Sequence, residues 1–171
     1  FARVSRVLAA AERDAAGWQT RFEGILAGYR FVPGGRILAA AGGAASRTML
    51  NCFVMGAVED GPERLFAALA EGARTLQQGG GIGWDFSALR PKGDTSVEWP
   101  APGPVACLEL WDAACRTVTG GLARGGAMMG SLSASHPDIA EFVRAKSRPA
   151  ALERFNLSVQ VPDAFLQAAD D

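Results

Sequence analysis

The apolar residues in the first part of the chain recur at helical spacing. Such spacing places side chains on one face of a helix. The first stripe consists of Val4, Val7, Leu8 and Ala11, and the second of Trp18, Phe22, Ile25 and Leu26. The pattern predicts two short helices in an N-terminal helical segment over residues 1–29, followed by a main domain over residues 30–171.

Short apolar runs alternate with helical stripes in the rest of the chain. The runs predict buried strands at 37–41, 49–57, around 128–133 and at RFNLSVQV. The stripes predict helices at 62–78, at 105–118, from Pro137 onward and at 163–169. A glycine loop and a long irregular region are expected between the first two of these helices. Strands that alternate with helices pair in parallel through crossovers, so the predicted architecture is α/β.

Composition and charge argue against several classes of partner. The chain has 171 residues, 49% of them hydrophobic, and a formal net charge of −1, so no basic field favours nucleic acid. No apolar run reaches the roughly 18 residues of a membrane span, and the N-terminus lacks a signal-peptide pattern. We expect a cytoplasmic protein that binds neither a membrane nor nucleic acid.

The cysteines and the single histidine do not suggest a metal site. Cys52, Cys107 and Cys115 are an odd number without CxxC spacing, which predicts free thiols. Cys107 and Cys115 lie eight residues apart in a predicted helix and are expected in the core. His136 precedes Pro137 at a predicted helix start, and no second ligand accompanies it at zinc spacing.

Two glycine-rich stretches are candidates for nucleotide or phosphate binding. The stretch TLQQGGGIGWDFSALRPKGD fits neither a P-loop nor a Rossmann fingerprint. It exposes backbone N–H groups and is followed by Arg90 and Lys92, a combination that can hold a phosphate. The second stretch, 120–126, contains Arg124. The alternative for the first is a helix C-cap followed by a surface turn.

Seven sequence blocks, taken together, resemble the large chain of ribonucleotide reductase. They are PGGRILAAAG, NCFVMGAVED, QQGGGIGWDFSALRPKGD, WDAACRTV, ARGGAMMGSL, HPDIAEFVRAK and FNLSVQVPDAF. The amino-acid sequences of these blocks are most similar to the adenosylcobalamin-dependent branch. However, Gly125 stands where that branch usually has a second arginine, as in the iron-dependent branch, so the radical source stays open.

The resemblance implies the first part of a ten-stranded α/β barrel with parallel strands. It implies reduction of a ribonucleoside diphosphate or triphosphate to a 2′-deoxyribonucleotide, for the supply of DNA precursors. The family's chemistry uses a thiyl radical, a reducing dithiol and a carboxylate, and the cofactor implied here is adenosylcobalamin. The implied partners are a ribonucleotide substrate, a deoxynucleotide effector, a thioredoxin or glutaredoxin-type reductant and a second copy in a homodimer.

Carried over by position, Cys52 matches one half of the reducing dithiol. Gly35, the Asn51-Cys52 pair and Gly81 match positions that line the substrate. A thiol beside Asn51 in an otherwise apolar strand is expected to be sheltered from water, which suits radical chemistry. The alternative is a buried structural cysteine.

The resemblance also implies a deoxynucleotide effector site at a subunit interface. Asp60 matches the position that binds the effector's deoxyribose, and the loop with Arg90 and Lys92 would hold phosphates. The loop 119–126, which includes Arg124, would select the base. The alternative for these charged residues is a solvated surface.

Other parts of the family's machinery do not occur in this sequence. It has neither the Asn-x-Cys-x-Glu strand of the radical cysteine nor the C-terminal cysteine pair. We therefore expect a fragment of the enzyme, inactive alone and weakened by an unpaired edge strand. Two alternatives remain: an inactive nucleotide-binding effector module, and a pseudo-subunit without a ligand.

Overall fold

The computed structural model describes residues 1–43, 48–120, 126–148 and 150–170. The chain divides into two compact units, Phe1–Asn51 and Cys52–Asp171, which are described separately. The helices of the first unit are α1 (Ala2–Ala9), α2 (Ala15–Leu26) and α3 (Gly35–Ala40), with a 3-10 turn at Ala27–Tyr29. The first two confirm the predicted N-terminal helices.

The first unit has a small core of its own. Val4, Leu26 and Ala41 are buried together. Arg3 donates a hydrogen bond to the carbonyl of Leu38 at 2.6 Å, which links α1 to α3. Arg3 also donates to the carbonyl of Ala41. This unit is therefore held by a few apolar contacts and by the two hydrogen bonds of Arg3 to the backbone.

The prediction of a strand at 37–41 is wrong, because this segment forms helix α3. The backbone N–H of Leu38 donates to the carbonyl of Gly34 at the start of the helix. Five apolar residues are too few to distinguish a strand from a helix by periodicity. The alanines at 39 and 40 favour the helix, since alanine has the highest intrinsic helix propensity.

The second unit is a parallel α/β sheet, as predicted. Four strands pair in the order β1-β2-β3-β4, and every neighbouring pair is parallel. The strands are β1 (Cys52–Ala57), β2 (Gly81–Asp85), β3 (Met128–Ser133) and β4 (Phe155–Gln160). The helices are α4 (Pro62–Gln77), α5 (Gly103–Thr119), α6 (Ile139–Arg144) and α7 (Asp163–Asp170).

Strand β2 lies where the sequence predicted only a glycine loop, and that prediction is wrong. Its residues Ile82 and Trp84 are buried, and β2 pairs with a strand on each side. The signal was an alternation of apolar residues, Ile82, Trp84 and Phe86. Gly83 and Asp85 at the intervening positions obscured it, because glycine and aspartate are depleted in strands.

One face of the sheet packs against the helices and forms the main core. Ile82, Trp84 and Phe86 from the β2 segment meet Leu108 and Trp111 of α5 there. The rings of Phe86 and Trp111 stack edge to face with their centroids 5.7 Å apart. This core fixes the positions of the strand ends, where the candidate functional residues lie.

Two further predictions need correction. Strand β1 was expected to be buried, but it is an edge of this sheet and Val54 is 97% exposed. Helix α6 begins at Ile139 and not at Pro137, with Asp138 at its N-cap. Within the described residues, no helix combines the length and the apolar character that a membrane crossing requires.

Candidate functional site

The sheet face opposite the main core is defined here as the open face. Side chains alternate between the two faces of a strand, and the strand register aligns them across the sheet. The open face carries Cys52, Val54, Ala57, Gly81, Gly83, Asp85, Met129, Ser131, Ser133, Asn156, Ser158 and Gln160. Most of these residues are polar or lack a side chain. The open face therefore has the character of a binding surface.

The glycine run before β2 has two structural explanations. Gly79 has a φ of +85°, and its N–H donates to the carbonyl of Leu76, while that of Gly80 donates to Thr75. These bonds form a Schellman motif that ends α4. A Cβ on Gly80 would lie 2.6 Å from the ring of Phe53. The first two glycines are thus required by the fold itself, as the C-cap alternative proposed.

The third glycine of the run lies beside the candidate thiol. Gly81 is the register partner of Cys52, at the amino ends of β2 and β1. Cys52 is exposed among the described residues. The prediction that this thiol is sheltered from water is therefore wrong for the described part of the chain. The reason is that β1 is an edge strand whose open face is uncovered in the described part of the chain.

Gly83 leaves room on the open face next to this pair. A Cβ built there would meet nothing closer than the Cβ of Met129 at 3.9 Å. Internal packing therefore does not require a glycine at this position. The space above Gly83 is available for a molecule that approaches the backbone near Cys52.

A polar network that the sequence reasoning missed lies at the carboxyl end of the open face, about 13 Å along the strand from Cys52. Asp85 accepts hydrogen bonds from the Oγ and the backbone N of Ser87, at 2.6 and 3.0 Å. Gln160 donates to Ser131 at 2.8 Å, and Ser131 lies 3.5 Å from Asp85. Polar residues at alternate strand positions were the signal that could have revealed it.

The network keeps Asp85 charged. Burial acts to raise the pKa of this carboxyl, but the hydrogen bonds from Ser87, Gln160 and Ser131 outweigh it and lower the pKa below its usual value. A stabilised carboxylate on the open face can accept hydrogen bonds from a ligand or from another segment of protein.

Asp60 and Arg90, two predicted effector residues, are brought together. The Nε of Arg90 donates to Asp60 at 2.5 Å, and its Nη1 lies 3.4 Å from the carboxylate of Asp94. The guanidinium also lies 5.9 Å from the ring centroid of Trp99. The hydrogen bond to Asp60 raises the pKa of Arg90. Its Nη2 is buried and has no hydrogen-bond partner among the described residues.

The other predicted site residues are more dispersed. The Nζ of Lys92 pairs with Glu141 at 3.2 Å instead of joining Asp60. Asn51 is exposed and directly precedes β1. Gly35 is the first residue of α3 in the other unit. Arg124 lies outside the described residues.

The two remaining thiols are buried in α5, which confirms the prediction that they belong to the core. Burial raises the pKa of Cys107 to about 11, with a smaller contribution from the charge of Asp60. Burial also raises the pKa of Cys115. Both thiols face the helices, so neither shares the open face with Cys52.

The single histidine is not available as a ligand for the cobalt of a corrin. Both ring nitrogens of His136, the only histidine in the sequence, are engaged, with the carbonyl of Leu89 and the N–H of Asp138. It is therefore not free to ligate cobalt. Within the described residues, no cluster of three His, Cys, Asp or Glu side chains could hold a metal ion.

Comparisons with known proteins give a consistent result. Residues 50–171 match the family described as ribonucleotide reductase, barrel domain. The chain is 41% identical over 98% of its length to the vitamin B12-dependent ribonucleoside-diphosphate reductase of Mycobacterium tuberculosis, of which it covers 25%.

Two more distant relatives carry similar names. The chain is 38% identical over 92% of its length to the vitamin B12-dependent ribonucleoside-diphosphate reductase of Thermoplasma acidophilum, covering 21% of it. It is 25% identical over 96% of its length to the ribonucleoside-diphosphate reductase subunit alpha of Chlamydia trachomatis, covering 16%. The chain spans about a quarter or less of the length of these relatives.

Proposed function

The chain belongs to the ribonucleotide reductase family, and from this we propose that the protein that carries it reduces ribonucleotides to 2′-deoxyribonucleotides. The observation that carries the proposal is the pairing of Cys52 with Gly81 on the open face. A thiol stands there next to a backbone position without a side chain. The names of the relatives support a ribonucleoside diphosphate as substrate and adenosylcobalamin as cofactor. When bound, this cofactor supplies the radical that starts the reaction.

In the proposed reaction, Cys52 provides one of two thiols. The C2′–O bond of the ribose breaks and the oxygen leaves as water. A C2′–H bond and a disulfide form, so two thiols give up two electrons and two hydrogens. Cys107 and Cys115 lie on the helix side of the sheet, and we assign the second thiol and the radical cysteine to other parts of the enzyme.

Substitution of Cys52 tests this assignment. In the enzyme that carries this chain, supplied with adenosylcobalamin, CDP and a dithiol, Cys52→Ser is expected to abolish formation of dCDP. Serine cannot be oxidised to a disulfide. Cys107→Ala is the matched control, since its thiol lies in the core, and it is expected to retain turnover. Turnover by Cys52→Ser at the wild-type rate would refute the role of Cys52.

We further propose that Asp60, Arg90, Lys92 and Arg124 bind a deoxynucleotide effector. Asp60 can accept a hydrogen bond from a sugar hydroxyl, and the Nη2 of Arg90 can donate to a phosphate. Because Asp60 and Asp94 already pair with Arg90 and its Nη2 is buried, an effector phosphate has to displace a carboxylate or uncover this remaining donor.

Titration with dTTP tests the effector site. Arg90→Lys keeps the charge but loses the planar fork of donors, so we expect about tenfold or greater weakening of the Kd. Arg64→Lys is the matched control, because Arg64 forms an exposed ion pair with Glu59 nearby. Equal affinity in both variants would argue against a role for Arg90.

A second candidate is an effector-binding module without chemistry. It is favoured by one observation: Asp60, Arg90 and Asp94 already contact one another within this chain, whereas Cys52 has no second thiol on the open face of the described residues. Binding of dTTP that is unchanged in Cys52→Ser, together with no turnover in the wild type, would favour this candidate.

The remaining assignments concern the whole enzyme. We propose that the four-stranded sheet is the first part of a ten-stranded barrel, since β1 and β4 each have one strand edge without a partner among the described residues. We also propose a homodimer and a thioredoxin or glutaredoxin-type reductant that restores the dithiol. The reaction needs reduced thiols, which supports a cytoplasmic location.

A further inference from the structure

The turn between β3 and α6 contacts the Arg90 loop at two points. The Nε2 of His136 lies 2.9 Å from the carbonyl oxygen of Leu89. The carboxylate of Asp138 accepts a hydrogen bond from the backbone N–H of Lys92 at 2.8 Å. The two contacts fix the main chain immediately before and shortly after Arg90.

The hydrogen bonds of His136 define its tautomer. Its Nδ1 accepts from the backbone N–H of Asp138 at 3.0 Å, so Nε2 carries the hydrogen and donates to Leu89. The side chain of His136 is 7% exposed. A buried donor aimed at a backbone carbonyl holds that carbonyl in one position, because losing the bond would leave a polar group unsatisfied.

The same turn reaches the start of the helix that connects the two glycine-rich stretches. A Cβ on Gly103, whose φ is +80°, would lie 3.0 Å from the Asp138 carboxylate and 2.8 Å from the Cβ of Lys92. Gly103 is the first residue of α5, and Thr119, where the second loop begins, is the last. Asp138 therefore lies where the Arg90 loop meets α5.

The turn is also connected to the open face. The N–H of Ser133 donates to the Oγ of Ser87 at 2.8 Å, and Ser87 donates to Asp85. The N–H of His136 donates to the carbonyl of Ser133 at 3.0 Å. A continuous set of hydrogen bonds thus links the polar end of the sheet to the backbone beside Arg90.

We propose that His136 and Asp138 are positioning residues that hold the Arg90 loop in the form that receives the phosphates of a nucleotide. Neither residue needs to touch the nucleotide. They fix Leu89 and Lys92, and this places the guanidinium of Arg90 next to Asp60, with its Nη2 lacking a hydrogen-bond partner among the residues that the structure describes. The inference rests on the proposed effector site and identifies what keeps that site in order.

Two substitutions of His136 separate its two hydrogen bonds. The amide nitrogen of glutamine occupies the position of Nε2, so His136→Gln keeps a donor for Leu89. Asparagine instead presents an amide oxygen near the position of Nδ1, so His136→Asn keeps the acceptor for Asp138 but does not reach Leu89. Binding of dTTP is expected to weaken about tenfold in His136→Asn and to be largely restored in His136→Gln.

An exposed ion pair elsewhere in the second unit provides the control. Glu109→Gln removes the ion pair with Arg148, whose side chain is 72% exposed, and is expected to leave the dTTP affinity unchanged. Hydrogen exchange of the Lys92 amide is measured without nucleotide in Asp138→Ala. Faster exchange is expected, because this substitution removes the acceptor of the N–H.

The outcomes are distinguishable in the protein that carries this chain. Weaker dTTP binding in His136→Asn, with rescue in His136→Gln and faster exchange at Lys92 in Asp138→Ala, supports the inference. Wild-type affinity in His136→Asn, or unchanged exchange at Lys92, overturns it. If the wild type binds no dTTP, the proposed effector site fails and the positioning role fails with it. Exchange at Lys92 then shows separately whether the backbone contact exists.

Discussion

Two glycines of the β2 segment should respond in opposite ways to the same added methyl group. In Gly80→Ala the new Cβ would lie 2.6 and 2.8 Å from two ring carbons of Phe53 and 3.0 Å from Thr75. In Gly83→Ala it would meet nothing closer than 3.9 Å, on the open face. Neither glycine is among those with a positive φ, so backbone strain does not differ between them.

The magnitudes follow from these distances. Overpacking typically costs about 1–3 kcal/mol, and replacing glycine by alanine returns roughly 0.4–1 kcal/mol by restricting the unfolded chain. Gly80→Ala should therefore destabilise the fold by about 1–2 kcal/mol. Gly83→Ala, which has no clash, should stabilise it by about 0.5–1 kcal/mol. The two variants should differ by about 2 kcal/mol.

Urea unfolding monitored by tryptophan fluorescence measures this difference, because Trp84 and Trp111 are buried. If Gly83→Ala is destabilised as much as Gly80→Ala, other parts of the protein fill the space above Gly83, and the open face is not open. If Gly83→Ala is stabilised, a loss of dCDP formation in that variant results from the methyl group on the open face and not from unfolding.

Three further predictions follow from the pKa shifts and the burial of thiols. The folded state lowers the pKa of Asp85, so its charge stabilises the fold above the unfolded value of about 3.9, and this contribution is lost as the pH falls through the folded value. The stability difference between wild type and Asp85→Asn should therefore be constant above about pH 5 and vanish in acid, and a pH-independent difference would contradict the role of the charge. Of the three cysteines of this chain, only Cys52 should react rapidly with a disulfide reagent at pH 8, because Cys107 and Cys115 are buried with raised pKa values. Peptide mapping that finds rapid labelling at Cys107 or Cys115 would contradict this burial. Since burial keeps Cys107 neutral, stability should also decrease as the pH rises above about 9, where the unfolded thiol ionises.

Long helical stripes and short apolar runs allowed most of the second unit to be predicted from the sequence. Helices α4 and α5 and strands β3 and β4 were located to within a few residues, and the parallel pairing followed from their alternation. The resemblance to ribonucleotide reductase is confirmed by the family match and the relatives. Where glycine or alanine dominated, as in β2 and α3, local pattern was not enough. Segment 81–85 forms strand β2 because it pairs with β1 and β3. Segment 35–40 forms helix α3, which the helix propensity of its alanines favours.

The candidate site was predictable only where a block of sequence resembled the family. Cys52 and Gly81 were named by that resemblance, and the register makes them neighbours. Their roles remain proposals. Asp85 was missed because strand β2 was not predicted from the sequence. Its hydrogen-bond partners also come from distant segments, since β3 supplies Ser131 and β4 supplies Gln160. The roles of His136 and Asp138 depended equally on contacts between segments distant in sequence.

The contrast between the two faces of the sheet indicates the kind of surface that meets the open face. A parallel sheet with helices on both sides is apolar on both sides, and its strands are continuous hydrophobic runs. Here the same strands present Ile82 and Trp84 to the helices but Gly83 and Asp85 to the open face. An apolar helix packed on the open face would bury the Asp85 carboxylate at a large free-energy cost. The open face is therefore suited to polar partners, as the wall of a substrate cavity would be. For this physical reason Cys52, the only cysteine on the open face among the described residues, is a candidate for chemistry and not for packing.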